Sequence, residues 1–236
     1  MKRLSLPLLL ALLAASTLPV CASITTQAIV GQDIQVILDL ANMDPAIYNT
    51  TVQQGAFAVS TIPETINAVF EVQNLTNARC EYDPTQQIFR DSTYSIHTEF
   101  SITGSDILGF TVKGMTKEYT VRTDWRKFRV DLTNETSLDF AIYFATQVSQ
   151  WDQINHTLND TTHPAYFYNS TSLSQIDPAF YFLLPENAAN IHAAGDTLIF
   201  EVPLSSEEAF LNSPFLILIV LVVVVVVAFL YRRIRR

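Results

Sequence analysis

Six asparagines open an N-x-T triplet with no proline in the middle: Asn49, Asn74, Asn134, Asn155, Asn159 and Asn169. In an exported chain the side-chain amide of such a triplet is the acceptor for an N-linked glycan. These six are half of the twelve asparagines, and every triplet uses threonine. That is more than composition alone would give. The competing reading is chance enrichment in a threonine-rich β protein.

The second concentration of chemistry is basic. "KGMTKEYTVRTDWRKFR" places six cations between Lys113 and Arg129. Lys117, Arg122, Arg126 and Arg129, with Trp125 among them, form a candidate stripe for docking an acidic protein partner. The plainer alternative is a solvated β face that offsets an acidic surface, with Trp125 in the core.

Other reactive types lack the spacing that chemistry needs. His97, His156, His163 and His192 form no HxH, HxxxH or H-E-x-x-H pattern, so no zinc site is expected. There is no G-x-S-x-G, and Cys80 has no histidine context that marks a nucleophile. Loop aspartates such as Asp33, Asp160 and Asp196 follow no calcium-loop spacing. Glu207 and Glu208 read as a solvated stalk. No catalytic residue, metal or cofactor is expected, and an ectoenzyme is the least favoured function class.

The two ends of the chain suggest where such a domain would sit. "MKRLSLPLLLALLAASTLPVCAS" has basic Lys2 and Arg3, an apolar run and small residues, the pattern of a secretory signal peptide over 1–22. At the other end, Phe215 to Tyr231 is an uncharged run, followed by Arg232, Arg233, Arg235 and Arg236. It reads as a single transmembrane helix over 214–231 with a basic cytoplasmic tail over 232–236. The expected organisation is then a β-rich extracellular domain over 23–204 and a juxtamembrane link over 205–213. The implied location is the cell membrane, crossed once, with the N-terminal domain outside.

Between those ends lie all 23 acidic residues against eight basic ones, a formal charge of about −15. Such a surface disfavours nucleic acid as a partner. Removal of the leader would take Cys21 with it and leave Cys80 alone, expected as a buried apolar thiol.

The elements that must position these residues are mostly of period two. "YSIHTEFSI" puts Tyr94, Ile96, Phe100 and Ile102 on one face, and "DTLIFEVPL" does the same with Leu198, Phe200, Val202 and Leu204. "DIQVILDL", "GAFAVST", "NAVFEVQNL", "ILGFTVKG", "EYTVRTDW", "KFRVDLT" and "AFYFLL" also read as strands. "HPAYFYN" and "DPAFYFL" read as adjacent strands with aromatics on both faces. One segment differs: Phe140, Tyr143, Phe144, Val148 and Trp151 fall at helical spacing. The fold class expected is mainly β, a sandwich-like ectodomain with one helical segment, plus the C-terminal membrane helix.

"TKEYTVRTDWRKFRVDLT" followed by "LDFAIYFATQVSQW" resembles a segment of uncharacterised archaeal membrane-anchored proteins with a β-rich exported domain. The likeness covers about 35 residues and carries no catalytic signature. It implies no activity and transfers no functional residue. Together these readings point to a non-enzymatic single-pass surface glycoprotein with a binding or structural role in the cell envelope. The alternative is an accessory subunit of a larger membrane complex.

Overall fold

The computed structural model describes residues 22–43, 45–46, 48–49, 61–82, 88–90, 94–131, 139–142, 146–169 and 176–235. The expected leader up to residue 21, residues 55–60 of the strand expected over 55–61 and the sequon at Asn134 lie outside these residues, and Thr61 begins a helix.

The chain is mainly β. Its larger sheet has eight strands. Their spatial order is β10 (Asp152–Leu158), β11 (Thr161–Asn169), β12 (Ile176–Leu183), β1 (Ala22–Val30), β2 (Ile34–Ala41), β5 (Ser95–Thr103) and β3 (Arg79–Tyr82), with β4 (Ile88–Arg90) also paired to β5. A second sheet runs β13 (Ala189–Ala194), β14 (Thr197–Pro203), β7 (Thr116–Arg122) and β6 (Leu108–Lys113). A two-stranded ribbon joins β8 (Phe128–Asp131) to β9 (Asp139–Ile142).

Alternation decides which face of the large sheet is buried. Ile24, Val36, Leu38, Leu40, Ile96, Phe100, Ile102, Phe180 and Phe182 are all buried, and apart from Leu183 at the end of β12 their immediate neighbours along each strand are not. The register aligns them: Ile24 opposes Leu40, Val36 opposes Phe100, and Ala28 opposes Phe182. A strand slipped by one residue would turn this whole set to solvent. As the sequence suggests, the two aromatic runs are neighbours, with Tyr166 opposite Phe182 and Tyr168 opposite Phe180. Val121, Leu198 and Phe200 of the second sheet join the same core.

Three expectations are corrected. The segment 67–75 is not a strand. It belongs to helix α1 (Thr61–Val72), whose Ile62, Ile66 and Phe70 recur every four residues and are all buried. In the segment with helical spacing, Asp139–Ile142 form strand β9 and Val148–Gln150 a 3-10 turn, while Tyr143 and Phe144 lie outside the described residues. Phe140 pairs with Val130 there, so ribbon pairing overrides the apparent period.

The third correction concerns the C-terminus. Helices α2 (Ser206–Leu211) and α3 (Pro214–Ile234) end the chain. Among the described residues no helix is long and apolar enough to cross a membrane, so the transmembrane helix expected over 214–231 is set aside. Its apolar run of seventeen residues gives about 26 Å of helix, against a bilayer core of about 30 Å. The last turn of α3 already carries Arg232 and Arg233.

Candidate docking surface

The basic stripe folds into two different environments. Lys113 and Lys117 flank the turn of the β6–β7 hairpin, which Gly114 makes at φ +63°. Beyond β7 the chain leaves the sheet in a 3-10 turn, Asp124–Arg126, and this turn carries two stripe residues inward. Trp125 and Arg126 are fully buried. Neither is available to a partner.

Arg126 is an internal tie. Its Nη1 donates to the Thr123 carbonyl at 2.6 Å and to Thr123 Oγ1 at 2.9 Å. Its Nη2 donates to the Thr146 carbonyl and lies 2.8 Å from Asp196 Oδ1. Burial draws this guanidinium down from its usual range, and Asp196 and Asp124 oppose that pull. Trp125 meets Phe180 and Phe182 edge-on, at 6.2 and 5.8 Å between centroids.

The remaining described cations of the stripe are also matched. Lys113 pairs with Glu118 at 2.5 Å, and Arg122 with Asp124 at 2.7 Å. Lys127 lies 3.5 Å from Asp196, and Lys117 bonds Glu208 of α2. The side chain of Arg129, on β8, lies outside the described residues. An acidic partner would therefore compete with carboxylates already in place, so charge alone is a weak basis for docking here.

Glu208 has two tasks. It completes a capping box with Ser205 at the start of α2, and its Oε1 takes the Lys117 ammonium. The hydrogen bond to Lys117 is the main reason its carboxyl is held low. Leu204 N donates to the Met115 carbonyl at 2.9 Å. Together these contacts hold α2 against the hairpin.

Around them the surface is apolar. Phe110, Val112 and Lys117 share one face of the second sheet with Tyr119 and Phe200. An aromatic series runs along it: Phe200 stacks on Tyr119 at 5.2 Å, and Tyr119 meets Phe110 at 5.7 Å. Phe200 is buried, while Phe110 is 58% exposed. The apolar face thus overruns its cover at strand β6, an edge of the sheet. Met115 at the turn is 65% exposed, and Phe210 and Leu211 of α2 are open as well. Sequence reasoning focused on the cations and passed over Phe110, Val112 and Met115. The signal available was the apolar alternation of "LGFTV" running out to the turn.

The expected glycan acceptors fall at the surface. Asn49, Asn74, Asn155, Asn159 and Asn169 are all exposed. Asn159 and Asp160 form the two-residue β10–β11 turn, at φ +48° and +63°, a backbone that asparagine tolerates. His97 is half-buried between Asp39 (Nδ1–Oδ1 2.7 Å) and Glu99 (Nε2–Oε1 3.0 Å). His156 lies against the Tyr181 ring at 4.4 Å. Cys80 is a free, buried thiol, which burial pushes well above its usual range. Among the described residues no cluster of three ligating side chains could hold a metal ion.

No family model, curated protein or solved structure matches the chain.

Proposed function

We propose that the chain is an exported, non-catalytic surface glycoprotein whose β-rich unit binds a protein neighbour in the cell envelope. The observation that carries the reading is the uncovered apolar face at the β6–β7 hairpin, Phe110, Val112 and Met115, together with exposed Phe210 and Leu211 on helix α2, which Lys117 ties to that hairpin through Glu208. Several large apolar side chains grouped on a rigid sheet edge mark an interaction surface more often than isolated ones do. An edge strand also offers unpaired backbone groups to a partner. The five exposed sequon asparagines favour export. Three of them, Asn155, Asn159 and Asn169, lie on or beside β10 and β11, strands of the other sheet. Glycans there would leave the hairpin open.

A photo-reactive residue placed at Met115 tests this in intact cells. It is expected to give a defined protein adduct, and the same group at exposed Glu186 is expected to give none. Phe110→Ser, with the probe kept at Met115, should remove the adduct. Adducts of equal yield at both positions, or none at Met115, would overturn the docking assignment. The adduct's identity separates an envelope neighbour from the larger subunits of a membrane complex.

A further inference from the structure

Two surface clefts each have a sequon asparagine in the wall. The first, about 350 Å³, lies where β10 and β11 meet β13, and Asn155 borders it with Gln153, Pro164, Tyr166 and Ile191. The second, about 450 Å³, lies at the end of α1, and Asn74 borders it with Asn67, Glu71, Thr76 and Arg79. Both fall in the size range of small-molecule sites, roughly 300–1,000 Å³. Asn49, Asn159 and Asn169 border neither cleft.

The backbone sets where each asparagine projects. Asn155 stands directly opposite Pro164, and Gln153 directly opposite Tyr166, so these four share one face of the β10–β11 pair. Opposed side chains on a sheet are about 5 Å apart at Cβ. A sugar on the Asn155 amide therefore starts beside the apolar ring of Pro164. Gln153 and the hydroxyl of Tyr166, bonded to each other at 2.7 Å, lie two residues along. That is an apolar plate next to polar groups, the combination that suits the two faces and the hydroxyl rim of a sugar ring.

Asn74 is fixed by the helix terminus. It adopts φ +56°, and Leu75 N closes back to the Phe70 carbonyl at 2.9 Å, a Schellman-type end. Its cleft is lined with a carboxylate, a hydroxyl and a guanidinium.

We propose that the glycans on Asn74 and Asn155 fold back onto the protein, with their first sugars seated in the clefts that these asparagines border. The proposal rests on the surface-glycoprotein reading and goes further: it divides the described acceptors into two that are docked and three that are free. The docked sugars act as covalently attached ligands. They cover the cleft walls and slow local opening of β10 and of the α1 terminus.

The test compares the full chain made in a host that attaches N-linked glycans with the same chain made in that host without its oligosaccharyltransferase. Peptide masses report occupancy, and amide hydrogen exchange reports seating. Exchange across 153–158 and 74–79 is expected to slow by at least about threefold in the glycosylated chain. Asn155→Gln should abolish the slowing at 153–158 and leave 74–79 protected. Asn49→Gln should change neither. Sugar present at Asn74 and Asn155 with unchanged exchange overturns the proposal and leaves the glycoprotein reading intact. Bare peptides at every acceptor overturn both.

Discussion

The guanidinium of Arg126 lies 4.7 Å from the ring centroid of Trp151. The pair closes the interior between the 3-10 turn after β7 and the one before β10. Arg126 is completely buried, and its charge is answered by Asp196 and by the carbonyls of Thr123 and Thr146. Arg126→Met would leave Asp196 and two carbonyls without this donor. Breaking one side of a buried pair costs about 3–5 kcal/mol. A chemical denaturation midpoint indistinguishable from that of the unmodified chain would contradict this account. Arg126→Lys should recover little, because an ammonium cannot reproduce the planar fork that reaches four acceptor atoms and covers the ring.

His97 gives stability a pH dependence of known sign. Burial alone would lower its pKa, but the hydrogen bonds and charges of Asp39 and Glu99 outweigh it, and the value is raised above 6.5. A group raised in this way contributes stability that is fully present below its unfolded value and is lost as pH rises through the folded one. The stability lost in His97→Asn should therefore be larger at pH 5.5 than at pH 8.5. The difference expected is about 1 kcal/mol, after allowing for the partial exposure of Asp39. Equal losses at both pH values would show that the clamp is not charged.

Gly104 and Gly114 offer a matched pair. Gly104 sits at φ +116°, and a Cβ there would lie 1.6 Å from the Asn77 carbonyl oxygen. That backbone is itself held, since Asn77 N donates to Asp106 Oδ2 at 2.8 Å. Gly104→Ala should cost more than about 3 kcal/mol. Gly114, at φ +63° with nothing within 4 Å, should lose only about 1 kcal/mol on the same change. Thermal melts of the two variants that coincide would refute the close approach at Gly104.

The strands that were legible in the sequence are those with one wet face. In β5 the buried residues Ile96, Thr98, Phe100 and Ile102 alternate with half-buried or exposed ones, and a period of two is all that pattern needs. Helix α1 reads as a strand because "AVFEV" is rich in β-favouring valine and phenylalanine, with Glu71 set between Phe70 and Val72. Its true period appears only when Ile62 and Ile66 are read with Phe70. The docking reading fails at Arg126 for a different reason, while Trp125 takes the core place that the plainer reading gives it. Alternation was extended past Arg122, where the chain turns in a 3-10 helix and two successive side chains enter the core. That an arginine would be wholly interior was not legible, because its partners Thr146 and Asp196 come from 20 and 70 positions further along. The acceptor asparagines were legible as a motif, but the clefts beside Asn74 and Asn155 exist only once β13 and the end of α1 are in place.

Strand β1 lies inside the large sheet, antiparallel to β2 on one side and parallel to β12 on the other, with Ala22 aligned to Ile176. This strand, the first among the described residues, thus waits for a partner about 150 residues later. At about 5–20 residues per second, that interval is on the order of ten to thirty seconds. Throughout it, the β1–β2 hairpin presents an edge of unpaired backbone N–H and C=O groups and an uncovered apolar face to whatever is nearby. The vulnerable period of this chain is its own biosynthesis, and its yield should depend on how well a holding chaperone shields residues 22–30 until β12 arrives.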